Sequence, residues 1–310
     1  MSEVRLQVKH VSKNFGITKA LKDVSFNINK GEVHALIGEN GSGKSTMTNM
    51  LTGIYTLESG QFILDGKEVH PKNQVEANEE GISIIVQELG TLSGLTVAEN
   101  IFLGHEDQFV HLGIKNTAAM NKKANELLQS YGFDKIKAGD MIDDYNFEDR
   151  KLVEIVKATY FNPKIVVVDE TTTALSQEGR EELYKQMNRV RDNGNTVIFI
   201  SHDLGVIKHV SDRIAIMYLG RIVELCEADA IYENPLHPYT KALLSAIPPV
   251  SPFAKKERIV LKGDIPSPIG DQIGCPLAGR CPNCMDRCRK EIPKLKDAGD
   301  GHQVACFLYE

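Results

Sequence analysis

Short apolar runs alternate with longer amphipathic stretches over the first three-quarters of the chain. Four of these runs have the length and apolar content of buried strands: EVHALIG, ISIIVQ, KIVVVDE and TVIFISH. Amphipathic segments lie between them. Apolar strands separated by helices are typical of a largely parallel sheet with helices on its faces. The pattern therefore predicts an α/β fold.

One amphipathic stretch has no strand beside it. Residues 116–131, NTAAMNKKANELLQSY, have the apolar spacing of a helix, and no apolar run adjoins them. Such a segment is best explained as an insertion between two strands of the sheet. We therefore expect a helical subdomain at about residues 90–160.

Composition changes near residue 235. Ten of the twelve prolines fall at or after Pro235, and five of the six cysteines lie in the last 36 residues. We predict one domain over residues 1–235 and a Cys- and Pro-rich C-terminal extension over residues 236–310. In a reducing compartment, cysteines crowded in this way favour a metal site over disulfides.

Charge and hydropathy exclude several classes of protein. The 310 residues include 36 Lys and Arg against 42 Asp and Glu, a net charge of −6, with no basic stripe. Nucleic acid is therefore not an expected partner. No apolar run approaches the length of a membrane span, and the opening MSEVRLQVKH lacks the apolar stretch of a signal peptide. We expect the chain to be cytosolic.

A glycine-rich loop, GENGSGKST, follows the first predicted strand and precedes a helix. Its glycines let successive backbone amides turn inward, and the helix N-terminus adds positive potential, so the loop suits a polyphosphate. A glycine-rich turn without a ligand is the alternative interpretation. In the first interpretation Lys44 contacts phosphate and Ser45 reaches Mg²⁺. The predicted nucleotide-binding residues are Gly38, Asn40, Gly41, Ser42, Gly43, Lys44, Ser45 and Thr46.

Two acidic residues end the strand KIVVVDE. Asp169 suits the coordination shell of Mg²⁺, and Glu170 is placed to act as general base on an attacking water. Taken without the loop, such a pair could equally cap a helix. The next strand ends in His202, which could hydrogen-bond a γ-phosphate and the water.

In this order the motifs resemble those of the ABC ATPases over residues 4–247. The resemblance implies a P-loop NTPase fold of the ABC type, in which residues 1–235 form the nucleotide-binding domain. It also implies that Phe15 stacks on adenine, that Gln87 contacts Mg²⁺ and senses membrane subunits, and that residues 173–176 form a D-loop. ATP and Mg²⁺ are the expected cofactors.

The family's LSGGQ signature is degenerate in this chain. Its place is taken by YNFED, residues 145–149. In the family two domains pair head to tail, and the signature closes over ATP held by the partner's loop. A carboxylate at Glu148 would repel γ-phosphate by about 4 kcal/mol at about 4 Å and an effective dielectric near 20. The departure predicts a heterodimer in which a second ATPase supplies the intact signature to the site on this chain.

The two halves of the chain resemble different branches of the family. MYLGRIVELCEADAIYENPLHPYTKALLSAIP, GDIPSPI and GCPLAGRCPNCMDRCRKEIPKL are similar to the C-terminal region of oligopeptide, dipeptide and nickel importer ATPases. HALIGENGSGKST, MLTGIYTLESG and VAENIFLG are more similar to the first ATPase half of ribose-type sugar importers. We favour peptide import because the C-terminal region is an added module rather than shared core.

The resemblance to peptide importers also assigns a role to the cysteines. In that branch four of them hold a 4Fe-4S cluster, and the matching residues here are Cys275, Cys281, Cys288 and Cys306. Cys284 is additional, and with Cys281 and His302 it could bind zinc instead. Cys226 lies in a strand-like run and is expected to be a small buried apolar residue.

Taken together, the resemblance implies an ATP-binding and ATP-hydrolysing subunit that energises a peptide importer. Its expected partners are two transmembrane permease subunits, the second ATPase and an extracellular substrate-binding protein, and its expected place is the cytoplasmic face of the membrane. The alternatives are a sugar-importer ATPase, a regulatory ATP-binding subunit with little turnover, and a soluble ABC protein of translation or DNA repair. The last would need tandem domains or a long coiled-coil insertion.

Overall fold

The computed structural model describes residues 3–201, 204–247, 258–267, 269–270 and 272–310. In these residues the strands are β1 Val4–Phe15, β2 Thr18–Asn29, β3 Val33–Ile37, β4 Ser59–Leu64, β5 Lys67–Val69, β6 Ile82–Ile85, β7 Val110–His111, β8 Ile114–Lys115, β9 Ile165–Asp169, β10 Thr196–Ile200, β11 Arg213–Tyr218, β12 Arg221–Glu227, β13 Lys296–Asp297 and β14 Gln303–Val304. The helices are α1 Lys44–Leu51, α2 Gln74–Glu80, α3 Val97–Ile101, α4 Thr117–Ser130, α5 Phe147–Thr159, α6 Gln177–Asp192, α7 Leu204–Val210, α8 Ala228–Glu233 and α9 Pro238–Ser245.

The four predicted apolar strands are confirmed, and they lie side by side. The main sheet has the order β13-β14-β12-β11-β3-β10-β9-β6. The strands from β11 to β6 are parallel to one another, whereas the pairings of β11 with β12, β12 with β14 and β14 with β13 are antiparallel. Every residue of β3, β9 and β10 is buried, which is why these strands are nearly continuous apolar runs. Their carboxyl ends meet at one edge of the sheet.

A second, antiparallel sheet has the order β2-β1-β4-β5. Its inward side chains, with those of α1, pack against one face of the main sheet and form a core that includes Leu6, Phe62 and Met47. Alternating burial along β2 is the pattern of a sheet with one buried face. The opposite face of the main sheet packs on α6, α7, α8 and α9.

The predicted helix over residues 116–131 is confirmed as α4. Asn116 caps it by accepting a hydrogen bond from the backbone N–H of Ala119 at 2.9 Å. Met120, Ala124 and Leu128 are buried at a spacing of four residues. Helices α3, α4 and α5 share a core of their own. The part of the sequence that connects β6 to β9 therefore packs as a helical layer.

The last residues of the chain extend the main sheet. Strand β14 pairs with β12 and β13 pairs with β14. The fully buried carboxylate of Glu224, in β12, accepts hydrogen bonds from the backbone N–H of His237 at 3.0 Å and from Nε2 of His302 at 2.7 Å. One side chain thus links the sheet to α9 and to the C-terminal strands. The domain boundary near residue 235 stays a prediction.

Cys226 is buried in β12, as expected. Burial raises the pKa of its thiol to about 12, so this cysteine is a protonated apolar side chain at neutral pH. None of the helices in the described part of the chain combines the length and apolar content that a membrane crossing requires.

Candidate functional site

The glycine-rich loop connects the carboxyl end of β3 to the N-terminus of α1. Gly43 precedes the helix with a φ of +105°, a conformation that residues with a Cβ rarely adopt. A Cβ on Gly38 would lie 2.3 Å from the carbonyl oxygen of Met217, so only glycine fits there. Asn40 and Gly41 are exposed at the mouth of the loop. The loop therefore presents its backbone to solvent ahead of a helix N-terminus.

The ammonium of Lys44 lies inside this loop. Its Nζ donates hydrogen bonds to the carbonyl oxygen of Gly38 at 2.9 Å and to that of Glu39 at 3.3 Å. Burial lowers the pKa of Lys44, and the carboxylates of Glu170 and Asp169 act in the opposite direction. The hydroxyl of Ser42 is buried with no hydrogen-bond partner among the described residues. A buried cation and an orphaned hydroxyl suit a phosphate group.

Ser45 and Asp169 come together although 124 positions separate them. Ser45 is the second residue of α1, Asp169 ends β9, and Ser45 Oγ donates to Asp169 Oδ1 at 3.3 Å. Burial, and then the charge of Glu170, raises the pKa of Asp169 to about 6. A hydroxyl and a carboxylate at this spacing are the oxygen ligands that Mg²⁺ prefers, so the residues present fit that ion. Thr46 lies half-buried beside them in α1.

Glu170 follows β9 in a left-handed conformation, with φ +43° and ψ +30°. Its backbone N–H donates to the carbonyl oxygen of Ile200 at 3.0 Å, and its Oε1 lies 3.9 Å from Lys44 Nζ. Left-handed backbone at a residue with a side chain costs on the order of 1 kcal/mol and is frequent at functional sites. This turn aims the carboxylate at the loop. His202, the other predicted catalytic residue, lies outside the described residues.

Phe15 lies at the end of β1 with 43% of its surface exposed. Tyr55 stands edge-on to it, with ring centroids 5.2 Å apart, and Lys13 Nζ lies 5.5 Å from the Phe15 ring centre. The sequence did not predict Tyr55. An exposed pair of aromatic rings beside a cation can hold a flat, electron-rich base.

Gln87 is exposed just after β6. The backbone around it is held by α5: Lys151 Nζ donates to the carbonyl oxygens of Val86 and Glu88, and the carboxylate of Glu154 accepts from the N–H groups of Val86 at 2.8 Å and Gly90 at 3.3 Å. Lys151 and Glu154 also form an ion pair at 2.9 Å. The sequence did not predict this contact. Two opposite charges on the otherwise apolar face of α5 were the available signal.

The degenerate signature forms the start of α5. Asn146 caps the helix by accepting from the N–H of Asp149 at 2.9 Å. The carboxylate of Glu148 accepts from the backbone N–H of Ser176 at 2.5 Å, at the N-terminus of α6. The residue expected to oppose a partner's γ-phosphate is therefore engaged within its own chain, beside the D-loop-like segment.

Four of the C-terminal cysteines surround one small cavity: Cys275, Cys281, Cys288 and Cys306. In the described residues no three His, Cys, Asp or Glu side chains come close enough together to hold a metal ion. His302 bonds Glu224 instead of standing beside Cys284. Burial, reinforced by the neighbouring thiols, raises the pKa of Cys275 to about 11 and also raises the pKa of Cys281 and Cys306.

The chain is similar to known proteins over nearly its whole length. A family model described as ABC transporter matches residues 21–173, and one described as the C-terminal region of oligopeptide/dipeptide transporters matches residues 223–288. The oligopeptide transport ATP-binding protein AppF of Bacillus subtilis is 33% identical over 325 residues, covering 99% of this chain and 98% of that protein. The probable peptide ABC transporter ATP-binding protein y4tS of Sinorhizobium fredii is 32% identical, covering 99% and 91%.

Solved structures agree with these relatives. An ATP-binding cassette of an ABC transporter in its ADP conformation matches with a TM-score of 0.65 and 26% identity, covering 76% of this chain and 96% of that one. A nucleotide-free cassette matches with a TM-score of 0.64 and 27% identity, covering 72% and 91%. The predicted ABC-type fold and ATPase activity are thereby confirmed: the chain belongs to the ABC transporter family, as one of its ATP-hydrolysing subunits.

Proposed function

We propose that this subunit binds Mg-ATP at the loop between β3 and α1 and hydrolyses it to drive peptide import. The observation that carries the site is the meeting of Lys44, Ser45, Asp169 and Glu170 at one edge of the main sheet. In this proposal the amides of the loop and Lys44 hold the phosphates. Ser45 and Asp169 would hold Mg²⁺, which would neutralise phosphate charge. The carboxylate of Glu170 takes a proton from the attacking water.

The remaining predicted contacts complete the proposed site. Phe15, with Tyr55, would stack on adenine, and Gln87 would reach Mg²⁺ and report to the membrane subunits. His202 retains the proposed contact with γ-phosphate. The companions that we propose are two permease subunits, a second ATPase and an extracellular binding protein, with the chain docked on the cytoplasmic face of the membrane. Residues 1–235 would form the nucleotide-binding domain, with the helical subdomain at about 90–160, and residues 236–310 the extension.

Peptides are the proposed cargo because the relatives that match end to end are named for peptide transport and the C-terminal region matches the peptide-transporter model. The ribose-type resemblance of the N-terminal half stays a prediction and motivates the alternative, sugar import. We expect vesicles or cells with the assembled transporter to take up labelled oligopeptides in an ATP-dependent manner and to ignore labelled pentoses. Pentose uptake without peptide uptake would support the alternative.

A heterodimer is the proposed working form. The loop, Asp169 and Glu170 of this chain are intact, whereas its signature has Phe147 and Glu148 in place of glycines, and Glu148 is tied to Ser176. Two copies of this chain would form two poor sites, because each site needs a signature from the other copy. In the proposed complex the partner's signature completes the site on this chain, so hydrolysis depends on Glu170. A regulatory subunit with little turnover is the alternative.

A 4Fe-4S cluster is the proposed occupant of the cavity among Cys275, Cys281, Cys288 and Cys306. Four thiols around one cavity fit thiolate ligation. A single zinc ion would need sulfur atoms about 3.8 Å apart, given a Zn–S bond of about 2.3 Å, and His302, the third residue of the zinc alternative, bonds Glu224. A cluster spreads its ligands over a wider space. Its proposed role is to fasten the extension.

Anaerobic purification should therefore yield about four iron and four sulfide per chain. We expect Cys288→Ser to lose the iron, because Cys288 is buried at the cavity. Cys284→Ser should retain it, since Cys284 does not line the cavity. Zinc without iron in the purified chain would contradict the cluster and support the zinc alternative.

A further inference from the structure

A turn in the C-terminal extension touches the glycine-rich loop. Arg280 Nη1 lies 3.4 Å from Glu39 Oε2, and Glu39 is the second residue of the loop. The same nitrogen donates to the hydroxyl of Tyr218 at 3.2 Å. The Arg280 side chain is 11% exposed and that of Glu39 is 33% exposed. A largely buried cation thus stands beside the only acidic side chain of the loop.

Arg280 is held firmly by its own turn. The N–H groups of Arg280 and Cys281 both donate to the carbonyl oxygen of Leu277 at 2.8 Å, and Leu277 is buried in the main core. Tyr218 is also buried, and its ring centroid lies 4.6 Å from that of Tyr239. These contacts order the turn that carries Arg280 and the Tyr218 side chain whose hydroxyl accepts from Arg280 Nη1.

The backbone of Glu39 is anchored from the same side. Its N–H donates to the hydroxyl of Tyr239 in α9 at 2.9 Å. Its carbonyl oxygen accepts from Ser42 N–H at 3.1 Å and from Lys44 Nζ at 3.3 Å. Since the lysine of such a loop reaches the β- and γ-phosphates, Glu39 lies near the end of the loop that would receive the γ-phosphate.

A carboxylate at this position opposes binding of a polyanion unless a cation offsets it. We propose that Arg280 is a positioning residue of the ATP site: it holds the Glu39 carboxylate and neutralises its charge, which makes the C-terminal extension part of the nucleotide site. The inference rests on the proposed binding of Mg-ATP at this loop. It assigns the extension a role in nucleotide affinity that is separate from the cysteines.

The test is nucleotide binding by the full-length chain, measured with fluorescent N-methylanthraniloyl ATP and ADP in the presence of Mg²⁺. Arg280→Gln should weaken ATP binding about five- to tenfold and ADP binding less, because the uncompensated charge acts most on the γ-phosphate. The double variant Glu39→Gln/Arg280→Gln removes both charges and should bind ATP within about twofold of the wild type. Arg289→Gln, an exposed arginine of the same extension, is the matched control and should bind like the wild type.

Two results would overturn the inference. One is wild-type affinity in Arg280→Gln. The other is a double variant that binds ATP as weakly as the single one, since a purely structural arginine would not be rescued by removing Glu39. Rescue also shows that the chain folds without the Arg280 guanidinium. Failure of the wild-type chain to bind either nucleotide would instead contradict the proposed function, and the inference would fall with it.

Discussion

Glu170→Gln in the assembled complex will lower ATP turnover by about 10²- to 10⁴-fold, the range that a general base contributes. Glutamine keeps the size and hydrogen-bonding reach of the side chain but cannot accept the proton of the attacking water. Affinity for Mg-ATP should be unchanged or slightly higher, because the variant removes a negative charge 3.9 Å from Lys44 Nζ. Steady-state phosphate release and equilibrium binding measure the two effects separately.

The same variant tests the asymmetry of the complex. If this chain holds the competent site, turnover of the heterodimer follows Glu170, and the corresponding substitution in the partner ATPase has a much smaller effect. Glu178→Gln is the matched control, since Glu178 is exposed on α6, the helix that follows the same strand. A complex that keeps its turnover with Glu170→Gln would refute the catalytic role, and rapid hydrolysis by this chain alone would refute the required heterodimer.

The central strands could be predicted from sequence because a parallel strand buried on both faces must be apolar along its whole length. Strands β3, β9 and β10 meet that condition, so their ends, and with them Lys44 and Asp169, could be expected at one edge of the sheet. The pairing of β14 with β12 could not be expected, because two-residue strands carry no periodic pattern.

The contacts that position the site were harder to predict, because each joins distant parts of the chain. Arg280 and Glu39 are 241 positions apart, and Lys151 is 65 positions from Val86. A charged residue in a sequence normally indicates a solvated surface. The place of Lys151 on the apolar face of α5 indicates burial, and its side chain is 2% exposed, but no local feature identifies the backbone carbonyl groups that it contacts. The position of Glu148 in the signature could be read from the sequence, but the direction of its side chain could not, since its partner is the backbone N–H of Ser176 at the start of α6.

The buried ion pair of α5 gives the largest expected change in stability. Glu154→Ala should lower the free energy of unfolding by about 3–5 kcal/mol, because it leaves the ammonium of Lys151 buried without its counter-charge. It also removes the acceptor of the Val86 and Gly90 N–H groups. Denaturant unfolding measures the loss. Glu126→Ala, at an exposed position of α4, is the matched control and should stay within about 0.5 kcal/mol of the wild type.

A double-variant cycle separates the coupling between the two charges from the hold of their side chains on the backbone around Gln87. Lys151→Met and Glu154→Gln each leave one buried charge unpaired, whereas the double variant leaves none, so its cost should be less than the sum of the single costs by about 1–3 kcal/mol. The pair hydrogen-bonds the backbone on both sides of Gln87. Amide hydrogen exchange at Val86 and Gly90 should therefore be faster in every one of these variants, under conditions in which the chain as a whole stays folded. Additive costs with unchanged exchange at these two amides would mean that the two charges are not coupled and that the pair does not hold the segment following β6.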